Sequence, residues 1–239
     1  TRLGEVARLV YRNVPGAPKL IGVTGTDGKT TTTYVLHALV EALGLRGGLS
    51  GTVERRVADR AVATRDSGRL TTPEADYLHG LVARMRDEAV DVAAIEVSAQ
   101  AIERHRVDEL CFDVAIFTNL SHDHLDDYGD LATYFEAKLR LFRPDRARRA
   151  VICVDTPSGV QMAARAEIPV VTVGAPDIAA DPEVAASADW VVRIEREDQR
   201  GTDFALTAPD GRTLRSSVPV IGAHMAANAG LAIALLVEA

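Results

Sequence analysis

Residues 20–32 read Leu-Ile-Gly-Val-Thr-Gly-Thr-Asp-Gly-Lys-Thr-Thr-Thr, and this stretch decides the fold. An apolar, β-branched run leads into a loop with Gly25 and Gly28, then Lys29-Thr30, then a helical pattern from Thr31 to Leu43. Backbone N–H groups that converge in such a loop, with the positive end of the next helix, form a cradle for phosphate. The spacing Gly-x-x-Gly-Lys-Thr is one position shorter than the commonest phosphate loop.

The two residues after the second glycine predict the ligand more closely. A lysine at position 29 can reach the β- and γ-phosphates of a nucleotide, and the hydroxyl of Thr30 can ligate Mg²⁺. The loop therefore predicts a site for a nucleoside triphosphate with Mg²⁺.

The remaining pattern predicts an α/β fold. Apolar runs at 20–24, 92–97, 114–118, 150–154 and 170–173 alternate with helical patterns, which predicts a mostly parallel sheet flanked by helices on both faces. Segments 190–194, 204–207 and 214–220, with a hairpin turn at Asp210-Gly211, predict a small antiparallel appendage near the C-terminus. A helix over 222–239 follows. Residues 44–68 predict one or two weak strands and a mobile loop, and Thr71 or Thr72 is expected to cap a helix that runs to about Ala89.

Composition excludes several classes of function. The chain has 239 residues, with 27 Lys+Arg against 34 Asp+Glu and a net charge of −7, which argues against a general affinity for nucleic acid or anionic lipid. Cys111 and Cys153 are too few and too far apart for a disulfide framework or a Cys-rich zinc site. No apolar run has membrane-spanning length. We expect a cytoplasmic monomer.

Acidic and histidine side chains follow two predicted strands. Glu96 is a candidate Mg²⁺ ligand at the carboxyl edge of the sheet, where ligands of open α/β folds bind, although it also suits a cap of the next helix. The loop 119–127, rich in His and Asp, suits a second hard cation, with a zinc site or a solvated turn as the alternatives. Lys138 lies in an amphipathic helical pattern, where a lysine normally extends to solvent.

Together these motifs resemble one family, the ATP-dependent Mur ligases of peptidoglycan synthesis, and in particular their central ATPase domain. The similarity spans nearly the whole chain, and its motifs are Gly25–Thr31, Thr71–Glu74, Glu96–Ser98, Asn119–Asp126, Tyr134–Phe142 and Gly222–Asn228. Thr71-Thr72-Pro73 and Glu96-Val97-Ser98 most resemble the MurE branch. Its members add the third residue of the stem peptide to UDP-MurNAc-L-Ala-D-Glu.

The resemblance implies a role for each matched position. Lys29, His124 and Lys138 would be catalytic. One Mg²⁺ would be held by Thr30 and Glu96 and a second metal by His124 and Lys138, whose amine would be carbamylated. The residues implied to contact ATP are Gly25, Thr26, Asp27, Gly28, Lys29, Thr30, Thr31, Asn119, His224 and Asn228. Those implied to contact the UDP-muramyl peptide are Thr71, Thr72, Ser98 and Arg106.

The implied reaction is ligation through an acyl phosphate, with an amino acid as the second substrate. The resemblance also implies an N-terminal UDP-binding domain and a C-terminal domain. We therefore interpret residues 1–19 as a linker stub and 20–239 as the central ATP-binding domain, which we expect to be inactive alone.

Three places depart from the family pattern. Ala99-Gln100 stands where the family usually has Ser-His, and Met225 stands where it has Asn. Residues 125–129 read Leu-Asp-Asp-Tyr-Gly where the family usually has Leu-Asp-Tyr-His-Gly. Three alternatives stay open: a folylpolyglutamate synthase or other amide ligase of the superfamily, a non-catalytic nucleotide-binding module, and a P-loop kinase or GTPase. The short loop spacing and the absence of Asn-Lys-x-Asp disfavour the last.

Overall fold

The computed structural model describes residues 2–13, 18–62, 70–121 and 128–238. Its strands form one sheet and are β1 (Lys19–Thr24), β2 (Gly47–Ser50), β3 (Arg55–Val57), β4 (Arg60–Ala61), β5 (Val92–Glu96), β6 (Phe112–Phe117), β7 (Ala147–Cys153), β8 (Val170–Gly174), β9 (Trp190–Asp198), β10 (Gly201–Thr207) and β11 (Thr213–Val218). The helices are α1 (Leu3–Tyr11), α2 (Lys29–Ala42), α3 (Ala75–Asp87), α4 (Ala99–Glu103), α5 (Leu131–Leu139) with a 3₁₀ turn at Arg140–Phe142, α6 (Pro157–Arg165), α7 (Pro182–Ala186) and α8 (Ala223–Glu238).

The sheet has the strand order β11-β10-β9-β8-β7-β6-β1-β5-β2-β3-β4. Neighbours from β9 to β2 pair in parallel, and the pairs at both ends are antiparallel. β1 lies at the centre between β5 and β6. From β1 the chain continues to β2 on one side, and from β5 it crosses to β6 on the other side. The carboxyl ends of these three strands therefore meet where the connections diverge. This is the ligand-binding position of a doubly wound sheet.

Helices cover both faces of the sheet. On one face α2 and α8 pack Leu36, Val40 and Leu231 against the strands. On the other face α3 and α5 contribute Leu78, Met85 and Phe135 to a second core. The central strands are buried on both sides, which explains their continuous apolar sequence.

The predicted fold class is confirmed, and the differences are local. The weak-strand region 44–68 contains β2, β3 and β4 among its described residues, and the predicted linker stub contains α1. The predicted hairpin at Asp210-Gly211 is present, but its loop spans 208–212 and is closed by a hydrogen bond from Ala208 N to Arg212 O. In the part of the chain that is described, no helix is long and apolar enough to cross a membrane.

The prediction that Thr71 or Thr72 caps α3 is wrong. The helix begins at Ala75, and the residue before it, Glu74, is extended and makes no side-chain cap. The hydroxyl of Thr72 is used elsewhere: it donates to Glu96 O at 2.7 Å and accepts from Ser98 N at 3.0 Å. The segment before α3 is therefore tied to the end of β5.

Candidate active site

The phosphate loop joins β1 to α2 and is shaped by its two glycines. Gly25 has φ +153°, and a side chain there would overlap Thr118 Oγ1. Gly28 has φ +81° and precedes the first residue of α2, and a Cβ there would lie 2.7 Å from Asn228 Oδ1. Both positions need glycine, and the loop opens onto a helix N-terminus as predicted.

The loop is braced by the residues that follow β6. Asn119 accepts from Thr26 N through its backbone carbonyl at 3.0 Å and from Asp27 N through its side chain at 2.9 Å. Thr118 Oγ1 donates to Asp27 O at 2.6 Å, and Ser121 N donates to Thr26 Oγ1 at 3.0 Å. Asn119 thus shapes the loop that is expected to bind ATP.

Two lysines converge on one carbonyl oxygen of the loop. Lys29 Nζ donates to Gly25 O at 3.0 Å and to Thr26 O at 2.7 Å. Lys138 Nζ, from α5, donates to the same Gly25 O at 2.9 Å and lies 4.3 Å from the ring centroid of Tyr134. Lys138 is only 1% exposed, so the expectation that its side chain reaches solvent is wrong. The two ammonium groups lie within about 6 Å of each other, which favours an anion between them.

These lysines line a cavity of about 220 Å³ together with predicted substrate residues. The latter are Thr71, Ser98 and Arg106, and Gln100 also lines the cavity. Arg106 is buried, and its guanidinium contacts Glu74 Oε1 at 2.9 Å and Thr72 O at 3.4 Å. All three charged side chains in the described lining, those of Lys29, Lys138 and Arg106, are cationic. The cavity therefore suits an acidic ligand next to the phosphate loop.

Glu96 lies behind this cavity, fully buried at the end of β5. Its carboxylate accepts from Thr52 N at 3.3 Å and from Thr52 Oγ1 at 2.9 Å, and a side chain at Gly51 would overlap it. It does not cap α4, because Ser98 Oγ accepts from Ala101 N and fills that role. Both hydrogen bonds come from neutral donors, and carboxylate oxygens are ligands that Mg²⁺ prefers, so Glu96 suits a cation.

The neighbourhood of Glu96 is acidic. Burial, together with a hydrogen bond to Glu54 and the charges of Glu54 and Glu96, raises the pKa of Tyr34 to about 12. Tyr34 belongs to α2, the helix that also carries Thr30. A carboxylate and a hydroxyl beside a phosphate loop are the oxygen donors that Mg²⁺ prefers, so these residues fit that ion.

Helix α8 packs against the phosphate loop. Asn228 is buried against Gly28, and His224 is exposed one turn earlier. Asp155 lies near His224 at the end of β7. Burial raises the pKa of Asp155, while a hydrogen bond from Ala175 N at 2.6 Å and the charge of His224 oppose this shift.

The structure brings most of the predicted residues to one edge of the sheet. Gly25, Lys29, Thr71, Ser98, Arg106 and Lys138 share the cavity, and Thr72 and Glu96 lie behind its wall. His124 falls outside the described residues, as does the rest of 122–127. Within the described ranges, no three His, Cys, Asp or Glu side chains gather into a metal cluster. Sequence reasoning missed Thr52 and Asp155, although both follow parallel strands at the edge where ligands bind.

Comparison with known proteins identifies the family of this chain. The model of a protein family described as the Mur ligase middle domain matches residues 23–236. This chain belongs to that family. It is 52% identical over 237 residues to the UDP-N-acetylmuramyl-tripeptide synthetase of Leifsonia xyli subsp. xyli, and the match covers 99% of this chain and 44% of that protein.

Other relatives carry related names. The UDP-N-acetylmuramoyl-L-alanyl-D-glutamate–2,6-diaminopimelate ligase of Streptomyces coelicolor is 39% identical over 243 residues, covering 100% of this chain and 45% of the relative. A solved structure of a ligase with the same name shares the fold, with a TM-score of 0.83 at 24% identity, over 99% of this chain and 47% of that one. This Mur ligase middle domain therefore spans less than half the length of the relatives it matches.

Proposed function

We propose that this domain is the ATP-binding part of a MurE-type ligase, which joins the third amino acid of the stem peptide to UDP-MurNAc-L-Ala-D-Glu. One observation carries the proposal: Lys29 and Lys138 converge on Gly25 O in a cavity that Thr71, Ser98 and Arg106 also line. A phosphate and a carboxylate must meet in such a reaction, and this cavity joins a phosphate loop to a cationic pocket. The names of the relatives in Leifsonia and Streptomyces support the same substrate class.

Each part of the site has a role in this proposal. The amides of residues 25–30 and the ammonium of Lys29 hold the triphosphate. Arg106, Thr71 and Ser98 orient the acidic end of the muramyl peptide, and Asn228 and His224 contact the base. Thr30 and Glu96 would hold Mg²⁺, which neutralises phosphate charge when bound.

The chemistry is in-line transfer followed by substitution. A carboxylate oxygen of the substrate bonds to the γ-phosphorus as the bond to the β-phosphate oxygen breaks, which releases ADP. The amine of the amino acid then attacks the acyl carbon, inorganic phosphate leaves, and the amine loses a proton. Fixed cations near the transferring group stabilise its charge, and no covalent enzyme intermediate is needed.

The proposal includes carbamylation of Lys138. After the ammonium loses a proton, the amine nitrogen would bond to the carbon of CO₂ and release a second proton. The product is a carbamate whose oxygens could hold a metal and whose remaining N–H keeps a donor for Gly25 O. In the full-length protein, Lys138→Ala should abolish ligation, and short carboxylic acids should partly restore it by supplying the missing carboxylate. Full activity of this variant without added acid would contradict the role.

The proposal extends to the rest of the protein. A preceding UDP-binding domain and a following domain that supplies the amino acid complete the enzyme, in agreement with the partial coverage of the relatives. A cytoplasmic location suits the two free cysteines.

Calorimetric titration of the chain tests the proposal, first with Mg·ATP and then with UDP-MurNAc-L-Ala-D-Glu. We expect saturable binding of both, and loss of ATP binding in Lys29→Ala. Lys19→Ala, which changes an exposed lysine at the far end of β1, is the matched control and should bind ATP normally. Unchanged ATP affinity in Lys29→Ala would refute the phosphate site. Binding of a folate substrate in place of the muramyl peptide would favour the folylpolyglutamate-type ligase.

A further inference from the structure

Helix α1 carries an apolar stripe that faces away from the domain. Its inner side is formed by the buried Gly4 and Ala7. Four larger side chains lie on the outer side and are exposed by 44% (Leu3), 53% (Val6), 62% (Leu9) and 67% (Val10). Their spacing places them together on one face of the helix. We call this face the α1 stripe.

The inner side of α1 is firmly attached, so the stripe is held in a fixed place. A Cβ at Gly4 would lie 2.8 Å from Asp108 O, so the helix approaches that loop as only glycine allows. Just beyond the helix, Asn13 Nδ2 donates to His79 O at 2.8 Å and lies 3.1 Å from His79 Nδ1. Arg86 Nη1 donates to the carbonyl oxygens of residues 11 and 12, both at 3.0 Å.

Exposed apolar faces of this kind mark contact surfaces in soluble proteins. The family model starts at residue 23, after α1, whereas the alignments with relatives cover 99–100% of this chain and so include the helix. Those relatives are more than twice as long as the chain, and the matched unit is named a middle domain. A helix that these relatives share and that is apolar on its exposed face suits a contact between domains.

We propose that the α1 stripe is the docking face for the domain that precedes this one in the same polypeptide. This inference depends on family membership and not on the proposed reaction. A second copy of the chain is a poorer occupant, because four half-exposed side chains amount to a few hundred Å², below the ~800 Å² per partner of a stable interface. A tethered domain needs less area, since its effective concentration is on the order of millimolar.

Few contacts separate the α1 stripe from the cavity. Asp108, against which Gly4 packs, lies two residues after Arg106. The α1 residue Arg8 also pairs with Glu109 of the same loop at 3.0 Å. The preceding domain would therefore contact the helix that supports the loop carrying Arg106.

Hydrogen exchange measured by mass spectrometry tests the proposal on the 239-residue chain and the full-length protein. Amides of α1 should exchange at least about tenfold more slowly in the full-length protein, because a docked domain must open before the helix does. Val6→Asp should remove this extra protection in the full-length protein and leave exchange in the shorter chain unchanged. Val160→Asp, at an exposed valine of α6, is the matched control and should change neither.

Three results would overturn the proposal. One is equal exchange of α1 in the two proteins. Another is extra protection that survives both Val6→Asp and the double variant Val6→Ala, Leu9→Ala, which keeps helix propensity in case aspartate frays α1. The third is a dimer of the shorter chain, seen by light scattering at micromolar concentration and abolished by Val6→Asp, since the occupant would then be a second copy.

Discussion

Replacing Thr72 by valine should destabilise the domain far more than the same change at Thr71. The two residues are neighbours in one predicted substrate motif, but the structure gives them different environments. Thr72 is fully buried, and its hydroxyl bridges Glu96 O and Ser98 N at 2.7 and 3.0 Å. Thr71 lines the cavity, and its hydroxyl lies 3.0 Å from Thr52 Oγ1.

The size of the effect follows from the lost partners. Valine has the shape of threonine, so no cavity forms, but Ser98 N loses its acceptor and Glu96 O loses a donor. A buried polar group without a partner costs about 1–3 kcal/mol, and we expect Thr72→Val to lose ~2–3 kcal/mol of stability. At Thr71, where the hydroxyl is partly accessible to water, we expect a loss below ~1 kcal/mol.

Urea unfolding followed by circular dichroism measures both variants. With an m-value of ~2–3 kcal/mol/M, Thr72→Val should lower the midpoint by about 1 M, and Thr71→Val by less than about 0.4 M. Titration with the muramyl dipeptide should show the opposite order. Thr71→Val should lose more affinity than Thr72→Val, because it removes a cavity hydroxyl and keeps the fold. Two results would refute the conclusion that Thr72 is a buried structural residue and not part of the cavity lining. One is a Thr72→Val midpoint within ~0.2 M of the parent, and the other is an equal loss of stability in the two variants.

Two further predictions concern the loop and a buried histidine. Gly28→Ala should lose ~1–2 kcal/mol through its positive φ and a further part through the contact with Asn228. Gly44→Ala, at φ +76° with nothing within 4 Å, isolates the backbone cost, so equal losses in the two variants would contradict the Asn228 contact. Burial lowers the pKa of His79 below its ordinary 6.5, so the unfolded chain binds the proton more readily. Stability should therefore be complete above pH 6.5 and decline as the pH falls below it, and urea unfolding of His79→Gln should show a shallower decline.

The sheet and the phosphate loop could be predicted because their signals are local. Central strands are continuous apolar runs since both faces are covered, and β1 was predicted to within one residue of its observed start. The loop depends on glycine at two positions and on the lysine and threonine that follow, all within a few residues. The common edge for Glu96 and Asn119 followed from the rule that carboxyl ends of parallel strands meet.

The environment of single side chains could not be predicted in the same way. A lysine in an amphipathic helix normally reaches water, but Lys138 is buried because an acceptor 113 residues earlier, Gly25 O, lies above it. The hydroxyl of Thr72 has the spacing of a helix cap, but it joins the segment before α3 to the end of β5, 24 residues away. Both contacts depend on how elements that are distant in sequence pack together. Residue type and spacing do not predict this packing.

The cations of the cavity explain why binding and stability should be linked in this domain. The chain carries a net charge of −7, yet two ammonium groups lie within about 6 Å of each other beside a buried guanidinium. Like charges at that separation oppose folding, and one of them, Lys138, is almost completely removed from water. An anion bound between them relieves the repulsion and replaces lost hydration. A ligand bearing phosphate or carboxylate that binds only the native state therefore stabilises it, by an amount that rises with the logarithm of the ligand concentration divided by its dissociation constant.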